Sequence, residues 1–571
     1  MNKKSRDLSR FALFIAIVIL VNIIGGLKFF RIDLTSEKRY TLSDATINLL
    51  ESVQDVMLVK VYLEGDFPAG FQRLETEAKQ MLDEFRAYNP NIQYTFIDPS
   101  NNETEEETNE LYKQLQFKGL KPYQLSIKNN DGNSVKTIFP GAVLNYGEKE
   151  AAALLLLDQL GAVPEKQINN SIENLEFTLA NSIRSLVSDD KPLVGFLQGH
   201  GELGPREIAD FAKSISANYR VDLFNIREFK SDSSGASINL AEQQVRMNRF
   251  DALIISKPQK AFTDLDKYLL DQFIMNGGKT LWLLDAAAAS MDSLSAASQF
   301  MSLPLFDRLQ LNDLLFKYGA RVNTDLVTDL VAAGVSDQKK IRPWVYFPMV
   351  MPQVSHPIAK DLNAVWLRFA SSIDTVIARG IKKTVLLKSS PYSARLATPH
   401  IVSLAKLYNP PPRGQFRESG VPLAVLLEGK FTSAFKNRLS PKAEAGLLKT
   451  KEESSQNQML VVADGDIILN QFNVVNPNIP KGAPLPLGYD QYTNTQYGNK
   501  DFLVNSLDYM LDDQGLIAIR SRELKIRLLD LERVKEERLF WQLINTLIPA
   551  ILIVLMAAVN TWWRRKKYLK S

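Results

Sequence analysis

The pattern of apolar and polar positions divides the chain into two uncharged ends and a long mixed middle. Phe11 to Leu27 reads FALFIAIVILVNIIGGL and Leu543 to Val559 reads LINTLIPAILIVLMAAV. A helix needs roughly 17–25 apolar residues to cross a hydrocarbon core, and each run is long enough. Lys3, Lys4, Arg6 and Arg10 precede the first run, and Arg564, Arg565, Lys566, Lys567 and Lys570 follow the second. Positive flanks stay cytoplasmic, so both tips are expected inside and everything from about Lys28 to Arg538 outside. The first run exits through NIIGGLKFFRID, with no A-x-A-like cleavage site, which predicts a retained anchor. The second exits through WWRRKK, an aromatic belt followed by a charged stop.

Between these ends the periodicity switches repeatedly. Ser43 or Asp44 caps a helix through Leu49 and Leu50. Strands are predicted at 56–65, 92–100, 123–129 and 135–147, the last two joined as a hairpin by Asn130-Asp131-Gly132-Asn133. Helices are predicted over Phe71 to Tyr88, where Leu74, Ala78, Met81, Leu82 and Phe85 share one face, over 101–120 and over 172–187. The order β-α-β-α-β-β-α is that of a thioredoxin-like domain. No Cys-x-x-Cys is present, so the redox chemistry of that fold is not expected, leaving a scaffold or docking role.

A second α/β region opens at LVGFLQGHGE (193–202). Helix 205–217, strands 221–226 and 252–258, helix 263–276 and strand 280–285 follow, and further strand-like runs lie at 384–388, 421–428 and 459–463. This alternation predicts a doubly wound, mostly parallel sheet. Helices are expected at 311–318 and 500–511. The Ala/Ser/Met-rich stretch from Ala286 to Phe306 reads as a mobile loop, and 409–414 and 441–458 as surface loops. From Ser521 to Trp541 a charged amphipathic stretch runs into the second apolar run as one stalk-plus-membrane helix. The expected divisions are 1–30 (tip and first transmembrane helix), 31–190, 191–520, and 521–571 (stalk, second transmembrane helix and basic tail).

Composition narrows the chemistry. A length of 571 residues predicts three or four domains. A net charge of +4, dispersed along the chain, leaves no nucleic-acid footprint. The absence of cysteine excludes disulfides, thiol catalysis and cysteine metal sites. The three histidines, His200, His356 and His400, do not stand at zinc-ligand spacing, so neither a metal nor a cofactor is expected.

Gly277-Gly278-Lys279-Thr280 imitates the end of a phosphate loop. It lacks the earlier glycine and precedes a strand, so it reads as a turn. No G-x-S-x-G elbow exists. Gly199-His200-Gly201-Glu202 is sharper, because it follows a strand at the edge where open α/β sheets place ligands. Asp285, Asp464 and Asp466 also fall at or just beyond strand ends. Gly199, His200, Gly201, Glu202, Asp285 and Asp464 are therefore the candidate ligand-binding residues, with no catalytic set. His356 reads as a turn before a helix, Ser371-Ser372 has no identifiable base, and His400 has no assigned task.

The blocks RIDLTSEKRYTLSDAT, NIQYTFIDPS, VGFLQGHGE, FDALIISKP, FIMNGGKTLWLLD, VSHPIAKDL and NKDFLVNSLDYMLDD resemble one family almost end to end. It is the gliding-motility-associated auxiliary, substrate-binding component of an ABC transporter, of the GldG type found in Bacteroidetes. The resemblance implies a non-enzymatic subunit of the inner membrane with a large periplasmic part. Its partners would be a separate permease and a separate cytoplasmic ATPase, together with the lipid bilayer and a periplasmic ligand or envelope protein. The region from about 191 also looks like a class I glutamine-amidotransferase-like (flavodoxin-like) domain, shared with some carbohydrate-associated and ciliary-transport proteins. The nucleophilic cysteine of those enzymes is missing, so their activity is not carried over. Two alternatives are a structural scaffold for envelope machinery and an exterior glycan-acting hydrolase using His200, Glu202 and Asp285.

Overall fold

A computed structural model describes residues 10–20, 41–101, 104–129, 132–228, 240–296, 298–336, 340–352, 354–437, 450–521 and 537–568. The chain forms two units, Met1–Arg522 and Glu523–Ser571. In the first, a four-stranded sheet is built from β1 (Met57–Val61), β2 (Ile92–Phe96), β5 (Gly141–Tyr146) and β6 (Lys149–Leu154), in the order β2-β1-β5-β6. A separate hairpin pairs β3 (Tyr123–Asn129) with β4 (Gly132–Ile138). Met57, Val59 and Val61 alternate inward along β1, as a half-buried strand requires. They meet Phe71, Leu74, Ala78, Leu82 and Phe85 of helix Ala69–Tyr88 in one apolar cluster. The Ser43 side chain caps helix Asp44–Glu51 by accepting from the Thr46 amide.

Two local expectations are corrected, and one strand, Lys149–Leu154, is unexpected. The predicted strand 135–147 breaks at Phe139-Pro140, where proline has no N–H for a ladder. Its first half completes the β3–β4 hairpin, and its second half crosses to lie between β1 and β6. Lys149–Leu154 (KEAAAL) is composed like a helix, yet pairing with β5 makes it a strand. The predicted helix 172–187 is two helices, Pro164–Glu173 and Leu175–Val187. They break at Asn174, whose side-chain amide donates to the Asn170 carbonyl.

The larger sheet has seven strands: β7 (Leu193–Gln198), β8 (Arg220–Asn225), β9 (Ala252–Ser256), β10 (Lys279–Leu283), β11 (Ile381–Lys388), β12 (Pro422–Thr432) and β13 (Glu453–Val462). Their order is β8-β7-β9-β10-β13-β12-β11. The strands from β8 to β13 run parallel, and β12 and β11 close the edge antiparallel. Every residue of β9 is buried, as a strand covered on both faces must be. On one face Phe196, Ile254, Leu281 and Val462 pack with Phe211, Leu503 and Leu507. On the other, Ile255, Trp282 and Val461 pack with Leu269, Phe273 and Leu315. β7 is followed in the chain by β8 on one side and by β9 on the other, so the order reverses between β7 and β9.

The stretch Ala286–Phe306, expected as a mobile loop, is structured. Ala287–Ala288 and Gln299–Pro304 pair with each other, helix Met291–Ala296 lies between them, and Gln299–Pro304 also pairs with His400–Ser403. The partner strand is distant in sequence, so local composition carries no sign of it.

Apolar termini are represented by helix Arg10–Leu20, exposed and shorter than a span, and by Arg538–Tyr568. The rest of the first predicted span, from Val21, lies outside the described residues, as does most of the predicted stalk. Within the second unit, 29 residues from Arg538 to Lys566 are long and apolar enough to cross a membrane. At 1.5 Å per residue they span roughly 44 Å, against about 30 Å of hydrocarbon. Leu547, Ile551, Leu552, Ile553 and Met556 are all exposed along it and point to different sides, an apolar surface all round.

Candidate functional site at the carboxyl ends of the parallel strands

The carboxyl ends of β7, β9, β10 and β13 carry two buried polar networks, one on each side of the loop that leaves β9. In the first, β7 ends in a turn through Gly199 (φ 126°) and Gly201 (φ 75°), backbone that a side chain adopts only with strain. His200 between them points inward and is wholly buried. Its backbone N–H donates to Glu202 Oε2 at 2.7 Å. Its ring Nδ1 lies 3.2 Å from Glu202 Oε1 and its Nε2 lies 3.1 Å from Asp266 Oδ2. The ring stacks on Phe262 at 3.6 Å between centroids.

Carboxylates only accept, so two carboxylate partners require both ring nitrogens to donate, and the ring is an imidazolium. Burial alone would lower its pKa, but the bonds to Asp266 and Glu202 outweigh burial and raise it above its ordinary value. Asp266 is the last residue of a capping box begun by Thr263 at helix Asp264–Met275. It also accepts from Arg227 Nη2 at 2.9 Å and from the Thr263 hydroxyl at 2.7 Å. Burial would raise its pKa, but these donors hold it far below the usual carboxylate range. His200 therefore ties the end of β7 to the start of that helix. A ring with both nitrogens donating offers a substrate no lone pair.

The second network surrounds Lys257, which leaves β9 with a positive φ of 54°. Its ammonium contacts Asp466 Oδ1 and lies 3.3 Å from Asp285 Oδ2. Asp285 Oδ1 accepts from the Gly465 amide at 2.6 Å. Asp464 accepts from the amides of Asp466 and Arg368, each at 2.7 Å. A side chain at position 465 would meet Lys257 Cβ at 2.8 Å, so glycine is what lets the two loops close together. Burial, then the Asp466 and Asp285 charges, push the Asp464 carboxyl well above its ordinary value. Burial likewise raises Asp285. Lys257 is raised too, because Asp285 and Asp466 outweigh its burial. Two cations, Lys257 and Arg368, thus lie near three carboxyls, an arrangement that works against all three being ionised at once.

Asp285, Asp464 and Asp466 each offer an oxygen within 4.8 Å of the others, the spacing of a cation site. Lys257 already stands against two of the three, so a metal ion would bind there only by displacing the ammonium.

The six sequence-predicted residues thus fall into two groups. Gly199, His200, Gly201 and Glu202 form one with Asp266 and Arg227; Asp285 and Asp464 form the other with Asp466, Lys257 and Arg368. Among the described residues no hydrogen bond joins His200 or Glu202 to Asp285 or Asp464. The connection is the backbone after β9: Gln259 and Lys260 donate to the His200 carbonyl at 2.8 and 2.9 Å, and Leu203 donates to that of Ser256 at 3.1 Å. Lys257, Arg368, Asp266 and Arg227 escape a sequence reading. The T-x-x-D capping box was the legible signal for Asp266, and the position just past a strand end was the signal for Lys257.

The other motifs resolve structurally. Ser371 donates to the Asp325 carbonyl and Ser372 to its carboxylate, both at 2.6 Å. His356 Nδ1 accepts from the Ile358 amide in a turn, at 3.3 Å. Gly277 turns helix into strand with φ 101°. A cleft of about 580 Å³ is lined by Phe306, Asn312, Arg321 and Asp325, and no residue of either network lines it.

A four-stranded sheet, a seven-stranded and largely parallel sheet with both faces covered, and an apolar C-terminal helix define a mixed α/β protein with a candidate membrane anchor. Residues 191–506 match the family described as an ABC-type uncharacterized transport system, the ABC transporter auxiliary family. The chain belongs to that family. It is thus a transport-associated accessory protein that works with an ABC transporter. Residues 36–145 match a domain of unknown function, DUF7088. An uncharacterized protein of Borreliella burgdorferi is 20% identical over 539 residues, covering 92% of this chain and 91% of that one. The solved mmIFT52 N-terminal domain is similar with a TM-score of 0.31 and 13% identity, over 56% of this chain and 97% of that one.

Proposed function

We propose that the chain is a two-pass inner-membrane subunit of an ABC transporter of the gliding-motility GldG type, itself without catalytic activity. Residues 31–190 and 191–520 would be its periplasmic domains, thioredoxin-like and amidotransferase-like respectively. A separate permease would pack with the membrane helices, and a separate cytoplasmic ATPase would supply the energy. The observation that carries this reading is the family match across 191–506, which covers over half of the chain. The apolar Arg538–Lys566 helix supports the membrane attachment. The mouth of the ligand site would be the backbone at Gly199 and Gly201, with His200, Glu202, Asp285 and Asp464 fixing the loops beneath it.

Gentle solubilisation with a tag on the C-terminal tail should bring down an ABC ATPase and a polytopic permease in fixed ratio. Recovery of envelope proteins alone would move the reading to a structural scaffold. The periplasmic placement has its own test, because the chain has no cysteine to interfere. Phe117 is 95% exposed, so Phe117→Cys should react with a membrane-impermeant maleimide in spheroplasts, whereas Ser571→Cys should react only after permeabilisation. The opposite labelling pattern would refute the orientation.

A further inference from the structure

Outside both networks, the short sheet formed by Gln299–Pro304 and His400–Ser403 carries a second group of polar side chains. In its ladder Ser302 stands directly opposite His400, and Phe300 opposite Val402. Residues paired across a ladder point to the same face. That face is the inward one: Ser302 and Val402 are wholly buried, and Val402 shares one apolar cluster with Trp344 and Tyr346 of strand Ile341–Val350. The Tyr346 hydroxyl lies 3.0 Å from His400 Nε2. Lys406, from the short helix Ala405–Tyr408, donates to the Tyr346 oxygen and lies 3.2 Å from the same His400 nitrogen. Its ammonium also sits 4.9 Å from the centre of the Tyr346 ring.

The group is unbalanced in two ways. Among the described residues Lys406 has no carboxylate partner. Burial alone lowers its pKa, where a nearby acid would have raised it. Burial and then the Lys406 charge lower that of His400, again with no acid contributing. The neutral ring is thus favoured, with the single Nε2 lone pair accepting from one of these donors and the N–H at Nδ1. Second, Ser302 Oγ is buried with no hydrogen-bond partner, and so is Trp344 Nε1, in the ring 5.2 Å from that of Tyr346. Buried polar groups are nearly always partnered. A half-buried ammonium without a counter-ion, beside orphaned donors, lacks one thing: a negatively charged acceptor.

We propose that Ser302, Tyr346, His400 and Lys406 form a binding site for an oxyanion, a carboxylate or phosphate group on a small solute. Lys406 supplies the charge, and Ser302 and the His400 Nδ1–H supply orientation. The rings of Phe300, Trp344 and Phe369 pack on one another beside this group. The site is separate from the Gly199–Glu202 region and stands whether or not that region binds anything.

Calorimetric titration of the full-length protein in detergent with inorganic phosphate, and separately with acetate, tests this. At least one probe should bind with one site per chain. Lys406→Met should weaken it about tenfold or more, as loss of a charge-assisted partner does, and Ser302→Ala by a smaller factor. Lys406→Arg should retain binding and covers the case in which Lys406→Met folds poorly. Saturation by phosphate alone assigns a phosphate ester, and by acetate alone a carboxylic acid. No saturable heat from either probe up to about 10 mM, or binding unchanged in both Lys406→Met and Ser302→Ala, overturns the site.

Discussion

Lys257→Met is expected to destabilise the first unit by about 3–5 kcal/mol, the usual effect of removing one partner from a buried ion pair. The lysine side chain is 17% exposed, and the carboxylates it faces, Asp285 and Asp466, are 8% and 7% exposed. Methionine fills the volume of the stem but leaves buried carboxyls facing one another with Arg368 alone to balance them. The variant should answer this by holding more protons. The Asp285 and Asp464 carboxyls already titrate above their ordinary range because of burial. A carboxyl with a raised folded pKa favours the native state below its unfolded pKa, and loses that contribution as pH rises through the folded value. The deficit of Lys257→Met relative to wild type should therefore shrink as pH is lowered from neutral toward 5. Combining it with Asp466→Asn should recover part of the loss, since the two residues are in contact. Thermal melts, with hydrogen exchange read in β9 and β13, measure both effects. A deficit independent of pH, or simple additivity of the two substitutions, would show that the ammonium does not hold this network together.

Legibility in the sequence followed the range of the forces involved. LVGFLQ, ALIIS and KTLWL are continuous apolar runs, and such runs identify strands covered on both faces without knowledge of neighbours. Helix Ala69–Tyr88 announced itself by spacing, because its partner is a whole apolar face rather than one residue. KEAAAL and the Ala286–Phe306 stretch did not, since their strands exist only through pairing with β5 and with His400–Ser403. The site divides in the same way. A strand-end rule finds His200, Glu202, Asp285 and Asp464, because parallel strands deliver their successors to one edge of the sheet. It cannot say that they form two groups, because Lys257 and Asp266 decide that, and their partners are set by how loops close in space. Lys257 resembles any solvated lysine until Gly465 brings Asp285 and Asp466 around it.

His200→Gln is the second large expected effect and separates a charged histidine from a neutral one. Glutamine keeps a donor and roughly the length of the ring, but not the charge or the stack on Phe262. Asp266 retains Arg227 and Thr263, while Glu202 loses its ring partner. A loss of about 3 kcal/mol is expected near pH 6, at the low end for breaking a buried charged pair. The pH dependence is the sharper observable. The folded pKa of His200 lies above its unfolded value. Its contribution is therefore complete below about pH 6.5 and falls as pH rises through the folded value. Wild type and His200→Gln should differ most at pH 6 and converge toward pH 9. Melts of the two proteins across that range, with exchange followed at residues 199–203 and 263–267, make the comparison. If the gap were constant with pH, the ring would be neutral in the folded state. One of its two carboxyl partners would then carry a proton, and the closed charge network at the end of β7 would have to be redrawn around a protonated Glu202 or Asp266.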